Sequence, residues 1–137
     1  MGRILDLDGG MDPIRFSVCG NPIPYLRMTQ GQVRLMHIPE ERLRPHVLKV
    51  VRRIRAYLNY KDEVYLFSKK WPIDRAPKIK VYLNVMIYFS GARHADPENI
   101  RKGIQDAIFV NDRMVAGAVD FDYDAEKPRV EIEIRQN

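Results

Sequence analysis

The chain has 137 residues, of which 45% are hydrophobic, which is enough for one domain with a buried core but leaves no room for a second. Its single cysteine, Cys19, excludes an internal disulfide framework and a cysteine-based zinc site. No apolar run reaches the roughly 18 residues of a membrane span and no signal-peptide pattern is present, so we expect no membrane association and a cytoplasmic location. The net charge of +5 is compatible with a polyanionic partner without requiring one.

Residues 1–12 form a poorly defined N-terminal segment without periodicity, and residues 13–137 are predicted to form a single domain. Apolar and polar side chains alternate over residues 13–19, which predicts a half-buried strand. Cys19 ends this strand, and we expect it to have a buried or half-buried structural role because no nearby base would activate it.

An early loop follows this strand. A turn at residues 20–22 is followed by Pro24, which keeps the backbone extended as far as Arg27. On the residues alone this loop is a rigid turn with an exposed arginine.

Residues 32–38 are predicted to form a short strand or hairpin arm. Pro39 and Pro45 are both typical of a first helical turn, so a helix is predicted to begin at one of them and to end near residues 57–59. The basic residues of this helix, Arg52 among them, form either a solvated face or a surface that contacts phosphate. Its predicted apolar stripe consists of Val47, Val50, Val51, Ile54 and Leu58.

Residues 61–77 are predicted to form a long loop in which Lys69 and Lys70 precede Trp71. The tryptophan would stack on an exposed base, fill a dimer seam or cover the core. The next element, residues 78–89, is the clearest strand of the chain because its apolar side chains alternate without a miss. The side chains predicted to face the core are Ile79, Val81, Leu83, Val85, Ile87 and Phe89.

The opposite face of that strand is unusually apolar because it carries Tyr82, Met86 and Tyr88. An exposed sheet face of this kind is usually covered in the folded protein. We therefore expect either a helix or a second subunit to lie against it.

Asp96 to Ile108 predicts a helix, because Asp96 is a suitable N-cap and Pro97 suits the first helical position. Glu98, Lys102 and Asp106 follow one another at four-residue spacing on one face. On spacing alone this stripe is typical of a solvated helix face, with Asp106 as the partner of Lys102 or as a further acid beside a site. The opposite, core-facing side carries Ile100, Ile104, Ala107 and Ile108.

Two more strands are predicted, over residues 113–124 and residues 129–135. The first contains Asp120, Asp122 and Asp124, which resemble a calcium-binding cluster but lack the loop glycine of an EF-hand. The predicted fold class is α/β (α+β): a compact single domain with a mixed β-sheet and helices packed on it.

The residue order over positions 96–115 carries a specific resemblance. Acid-x-acid-Asn-apolar-x-Lys-x-x-x-Asp-Ala, followed by Asn-Asp and Val, resembles the core motif of the RusA-type Holliday junction resolvases. Residues 20–24 and 130–134 give weaker support. The resemblance also implies that the early loop lies near the substrate, so two interpretations of that loop stay open. Those resolvases are small, dimeric, magnesium-dependent endonucleases, so the resemblance implies a RusA-like nuclease domain.

The resemblance also implies roles for individual residues. Asp96, Glu98 and Asp112 take the places of three catalytic carboxylates that hold Mg²⁺, for which Mn²⁺ can substitute, with no organic cofactor. Lys102 takes the place of the essential lysine. The family usually has aspartate where Glu98 stands, and Glu98 supplies the same kind of oxygen ligand on a side chain one methylene longer.

The implied function is resolution of Holliday junctions by paired symmetric nicks, in DNA recombination and repair. Two symmetric nicks require two copies of the site, so we expect a homodimer bound to a four-way DNA junction. Two alternatives remain open, a non-catalytic nucleic-acid-binding relative and a nuclease for flaps or forks. The predicted DNA-binding residues are Arg27, Arg52, Lys69, Lys70, Arg93 and His94.

Overall fold

The computed structural model describes residues 12–136. Of the N-terminal segment predicted over residues 1–12, only Asp12 lies within this range. The elements in chain order are β1 (Ile14–Cys19), α1 (Gln30–Leu35), a 3₁₀ turn (Glu40–Arg42), α2 (Pro45–Ser68), β2 (Val81–Phe89), α3 (Pro97–Ile108), β3 (Val115–Ala116), β4 (Val119–Tyr123) and β5 (Arg129–Arg135).

The strands form one mixed five-stranded sheet in the order β1-β5-β2, with β3 and β4 both pairing with the far side of β2. β1, β5 and β2 are antiparallel, whereas β3 and β4 run parallel to β2. Val85 lies opposite Ile132 on one side and Val119 on the other. The protein is therefore a compact single α+β domain, as the sequence predicted.

The strand predicted over residues 113–124 is broken into β3 and β4 at Gly117. Gly117 has φ +128°, and a Cβ at this position would collide with the Leu83 carbonyl group, so only glycine fits. Arg101 of α3 donates to the Leu83 oxygen at 3.1 Å and to the Ala116 oxygen at 2.8 Å. Burial lowers the pKa of this arginine. Arg101 thus satisfies carbonyl groups beside the break and has a structural role.

Helices α2 and α3 pack against one face of the sheet and enclose the core. The predicted inner face of α3 is buried, and so are the alternating side chains of β2 from Val81 to Phe89. Ile79 is an exception, because the strand begins at Val81 rather than at residue 78, and its side chain is 55% exposed.

The prediction of a strand or hairpin arm over residues 32–38 is wrong, because this region contains helix α1. Thr29 caps that helix. Its hydroxyl accepts the N–H of Gln32 at 3.1 Å, and the Gln32 side chain accepts the N–H of Thr29 at 3.0 Å. This reciprocal capping box is a sequence signal for a helix start that the apolar pattern concealed.

Helix α2 begins at Pro45 and continues to Ser68, so the predicted end near residues 57–59 is wrong, as is the first half of the predicted loop over residues 61–77. Tyr57, Tyr60 and Val64 extend the buried stripe of the helix beyond Ile54. Tertiary packing of these side chains carries the helix through a polar stretch that looks like a loop in the sequence.

The other face of the sheet, here called the open face, carries side chains of alternate residues of all the longer strands. Helices α2 and α3 lie on the opposite face, and no helix within residues 12–136 packs on the open face. Cys19 points to this side and is exposed, which contradicts the expected buried or half-buried role. No helix within the described range is long and apolar enough to span a membrane.

Candidate functional site

Two carboxylates lie at the start of α3. Asp96 is the N-cap of the helix, and its side chain accepts the backbone N–H of Glu98 at 3.4 Å, as the sequence predicted. Both side chains are exposed. The positive end of the helix dipole favours negative charge at this position.

Lys102 lies one turn beyond Glu98 on the same face. Its ammonium group lies 4.5 Å from the centroid of the Tyr25 ring, and it forms no ion pair with any residue in the described range. Asp106 instead accepts the ammonium group of Lys61 at 2.8 Å and the hydroxyl of Tyr57 at 2.9 Å. The predicted pairing of Asp106 with Lys102 is therefore wrong.

The early loop is attached to α3 at this point. The N–H of Tyr25 donates to the Asn99 carbonyl oxygen at 3.0 Å, and the Asn99 side-chain amide donates to the Tyr25 carbonyl oxygen at 3.3 Å. Gly103 permits the approach, because a Cβ there would lie 3.2 Å from the Tyr25 nitrogen and 3.3 Å from the Tyr57 ring. The attachment brings the segment that contains Arg27 next to the acids.

Asn99, Gly103 and Tyr25 were not among the predicted site residues. A glycine in the middle of an amphipathic helix costs about 1 kcal/mol relative to alanine, so Gly103 was the signal that another segment approaches closely. No local pattern identifies Tyr25 as that segment.

Asp112 is not brought to the two acids at the start of α3. Its carboxylate accepts the side-chain amide of Gln105 at 2.9 Å, near the opposite end of the helix. The 12 residues of α3 span about 18 Å. Asp112 precedes β3, which pairs with the beginning of β2, whereas Asp96 follows the end of β2.

No three Asp, Glu, His or Cys side chains among residues 12–136 are grouped to hold a metal ion. The three-carboxylate arrangement that the resemblance implies is therefore not assembled in this structure. Mg²⁺ is commonly held by only one or two protein carboxylates together with substrate phosphates and water. Asp96 and Glu98 fit a magnesium site of that sparser kind.

Arg93 and His94 lie immediately before the acids. Together with Asn21 and Ser90 they line a small cavity of about 170 Å³. The cavity places guanidinium, amide and hydroxyl donors near the start of α3. These two predicted DNA-binding residues are therefore beside the acid pair, as the sequence order requires.

Of the other predicted DNA-binding residues, Arg52 lies on α2, whereas Lys69 and Lys70 follow the end of that helix. Arg52 and Arg55 both bond to Glu40, which ties the 3₁₀ turn to the helix. Lys69 and Lys70 lie over the rings of Tyr65 and Phe67, 5.6 and 5.0 Å from their centroids.

Trp71 follows these lysines and is exposed, so the alternative that it covers the core is wrong. Within residues 12–136, no hydrogen bond, ion pair or ring contact connects Trp71, Lys69 or Lys70 with the start of α3. These residues stay a predicted second contact region, separate from the acid pair.

The aspartates of β4 protect a free sheet edge. β4 pairs only with β2, and the outward N–H groups of Phe121 and Tyr123 donate to the preceding Asp120 and Asp122 side chains, both at 2.8 Å. Asp124 accepts the backbone N–H of Lys127 and the guanidinium of Arg129, which lower its pKa. Each of the three acids thus has a partner within the protein, and none of them requires a metal ion to account for its position.

No protein-family model and no curated protein matches this chain. The resemblance of residues 96–115 to the resolvase motif therefore remains local. Any function has to be supported by the chemistry of the acid pair and of the residues around it.

Proposed function

We propose that this protein is a magnesium-dependent DNA endonuclease that cuts branched DNA, with the four-way junction as its substrate. The observation that supports this most is that the ammonium group of Lys102 forms no ion pair within residues 12–136. Lys102 has Glu98 and Asp106 one turn away on either side, at the spacing where ion pairs form on a helix. It pairs with neither, and its charge remains available beside the acids.

The division of charge around the site suits a phosphodiester substrate. Asp96 and Glu98 are the ligands, and when Mg²⁺ is bound it supplies Lewis-acid polarisation of a phosphoryl oxygen. A water molecule attacks the phosphorus and loses a proton to solvent, while the P–O bond to the leaving sugar oxygen breaks and that oxygen takes up a proton. Lys102 neutralises the negative charge that develops on the phosphorane. Arg93 and Arg27, on the two segments beside α3, bind the flanking phosphates and set the register of the strand.

The open face supports a homodimer. It contains a shallow cavity of about 630 Å³, bordered by Met86 and by charges of both signs such as Arg15 and Glu133. Burial raises the pKa of Glu133, but bonds from Arg135, Asn84 and Arg15 outweigh it and lower the pKa overall, so this acid stays ionised.

A surface that carries both charges next to Tyr82 and Tyr88 suits a two-fold interface, in which the same patch of each copy meets. The protected edge of β4 argues against dimerisation by strand addition there. We therefore propose that two copies meet through their open faces and that each contributes one nick.

A second candidate function is nucleic-acid binding without cleavage. It is favoured by one observation, the separation of Asp112 from Asp96 by the length of α3. In this alternative Asp96 serves only as a helix cap and the basic residues retain the DNA.

The test is incubation with a labelled four-way junction, a flap and a plain duplex, in Mg²⁺ or EDTA. We expect cleavage of the junction in Mg²⁺ alone. Asp96→Asn should abolish cleavage and leave the amide able to cap the helix, while DNA binding persists or tightens because a negative charge is removed.

Asp112→Asn shows whether that acid is needed for cleavage, as the motif implies. Full activity of this variant would remove Asp112 from the site and leave Asp96 and Glu98 as its acids. Wild-type protein that binds the junction and cleaves nothing in Mg²⁺ would contradict the nuclease and favour the second candidate.

A further inference from the structure

Two large aromatic side chains are exposed near the acid pair, although the fold does not require aromatic rings at the surface there. Phe121 is 41% and Tyr123 50% exposed on β4, and their ring centroids lie 6.0 Å apart. His94 lies 5.3 Å from the first ring and 5.8 Å from the second, only two positions before Asp96. We call these three rings the aromatic platform.

The platform is held in one arrangement. His94 stacks on the buried Phe89 ring at 3.7 Å between centroids and an interplanar angle of 10°. Its Nδ1–H donates to the Ala95 carbonyl oxygen at 2.8 Å, because that oxygen only accepts, and its Nε2 is hydrogen-bonded to the Tyr123 hydroxyl at 3.2 Å. Phe121 also packs on Phe89, edge to face at 5.8 Å. Because these rings are already ordered, a ligand that stacks on them loses little binding free energy in fixing their positions.

The surroundings of the platform restrict what it binds. A peptide strand is disfavoured, because Asp120 and Asp122 already occupy the outward N–H groups of β4 that an added strand would need. A flat aromatic ligand needs no such donors. Arg93 and Asn21, in the adjoining cavity, supply cationic and amide donors for an anionic group attached to that ligand.

A nucleobase with its phosphate has both properties. We infer that Phe121 and Tyr123, backed by His94, form a stacking platform for a base left unpaired at the branch point of the DNA. This inference rests on the proposed function, because the DNA strand whose base stacks on the platform is the one whose phosphate reaches Asp96 and Glu98. It assigns to the platform the selection of branched over fully paired DNA.

The test uses binding in EDTA, so that cleavage does not interfere. A fluorescent base analogue, 2-aminopurine, is placed at an unpaired branch-point position and, in a second DNA, inside plain duplex. Stacking on the platform should change the fluorescence of the first DNA only. Replacing both rings, in Phe121→Leu/Tyr123→Leu, should abolish this change and weaken binding of the branched DNA by about tenfold, with duplex binding unaltered.

Three variants control for folding and for loss of aromatic surface in general. Tyr123→Leu changes the more exposed ring and should give a smaller loss in the same direction. Tyr123→Phe keeps the ring and removes only the hydroxyl bonded to His94, so it should retain most of the stacking. Tyr65→Leu removes an exposed ring of α2 and should leave the fluorescence change intact.

Unchanged fluorescence and affinity in the double variant would overturn the inference, and so would an equal loss of affinity for duplex. A change from dimer to monomer in the double variant would also overturn it, because a second copy would then occupy the patch. If wild-type protein cleaves nothing in Mg²⁺ but the double variant loses stacking, the platform stands and the proposed nuclease fails.

Discussion

Tyr25 and Asn99 are joined by a reciprocal pair of hydrogen bonds, the backbone N–H of Tyr25 to the backbone oxygen of Asn99 and the side-chain amide of Asn99 to the backbone oxygen of Tyr25. This pair attaches the early loop to the first turns of α3. It fixes where the Tyr25 ring meets Lys102 and brings the segment that leads to Arg27 near the acid pair. The site is therefore built from two segments that are far apart in the sequence.

Asn99→Ala removes one of these two bonds. We expect the free energy of unfolding to fall by about 1 kcal/mol and DNA affinity to fall as well, because the loop is less firmly held. Denaturant titration and DNA binding on the same preparation measure both. Asn59→Ala, at an exposed position of α2, is the matched control and should change neither quantity. Wild-type affinity in Asn99→Ala would show that the loop takes no part in binding.

Lys102→Ala removes the unpaired ammonium group. We expect single-turnover cleavage at saturating protein to slow by at least about tenfold, with little change in junction affinity, because the charge acts on the transition state. Lys61→Ala is the control, since Lys61 already pairs with Asp106 near the surface and its loss should cost about 0.5 kcal/mol of stability without slowing cleavage. Equal rates for the two variants would assign Lys102 to the solvated face.

Gly117→Ala tests the break between β3 and β4. The added methyl group would collide with the Leu83 carbonyl group of the neighbouring strand, where nothing is free to move aside. We expect destabilisation by about 3 kcal/mol or more. Gly20→Ala is the comparison, because Gly20 also has positive φ, at +103°, but has open space around its Cβ position. It should cost about 1 kcal/mol from backbone strain alone. Thermal unfolding of the two variants separates collision from strain.

Tyr57 and Tyr60 allow a paired test of buried hydroxyl groups on α2. Burial raises the pKa of both side chains, so both are neutral. The Tyr57 hydroxyl donates to Asp106, whereas the Tyr60 hydroxyl is buried and has no partner among the described residues. Tyr57→Phe should lower the free energy of unfolding by about 1 kcal/mol, and Tyr60→Phe should leave it unchanged or raise it. A comparable loss in both variants would reveal a partner for Tyr60.

Local patterns in the sequence determined the elements whose side chains repeat regularly. The alternation of apolar and polar side chains identified β1, β2 and β5. Asp96 and Pro97 identified the start of α3, because a helix cap and a first-turn proline act within a few residues. Those signals were sufficient for the mixed sheet and for the buried face of α3. They failed at α1 and at the second half of α2, where polar residues hide a helix that a capping box or buried tyrosines stabilise.

The composition of the candidate site was decided by tertiary structure. The sequence placed Asp96, Glu98 and Lys102 together at one helix. These residues are only a few positions apart, so the local pattern of a single helix was enough to place them. It gave no information on the attachment of Tyr25 to Asn99, on the pairing of Asp106 with Lys61, or on the bond that holds Asp112 at the far end of α3. These contacts join segments separated by many residues, and only the packing of the helices on one face of the sheet brings such segments together or keeps them apart.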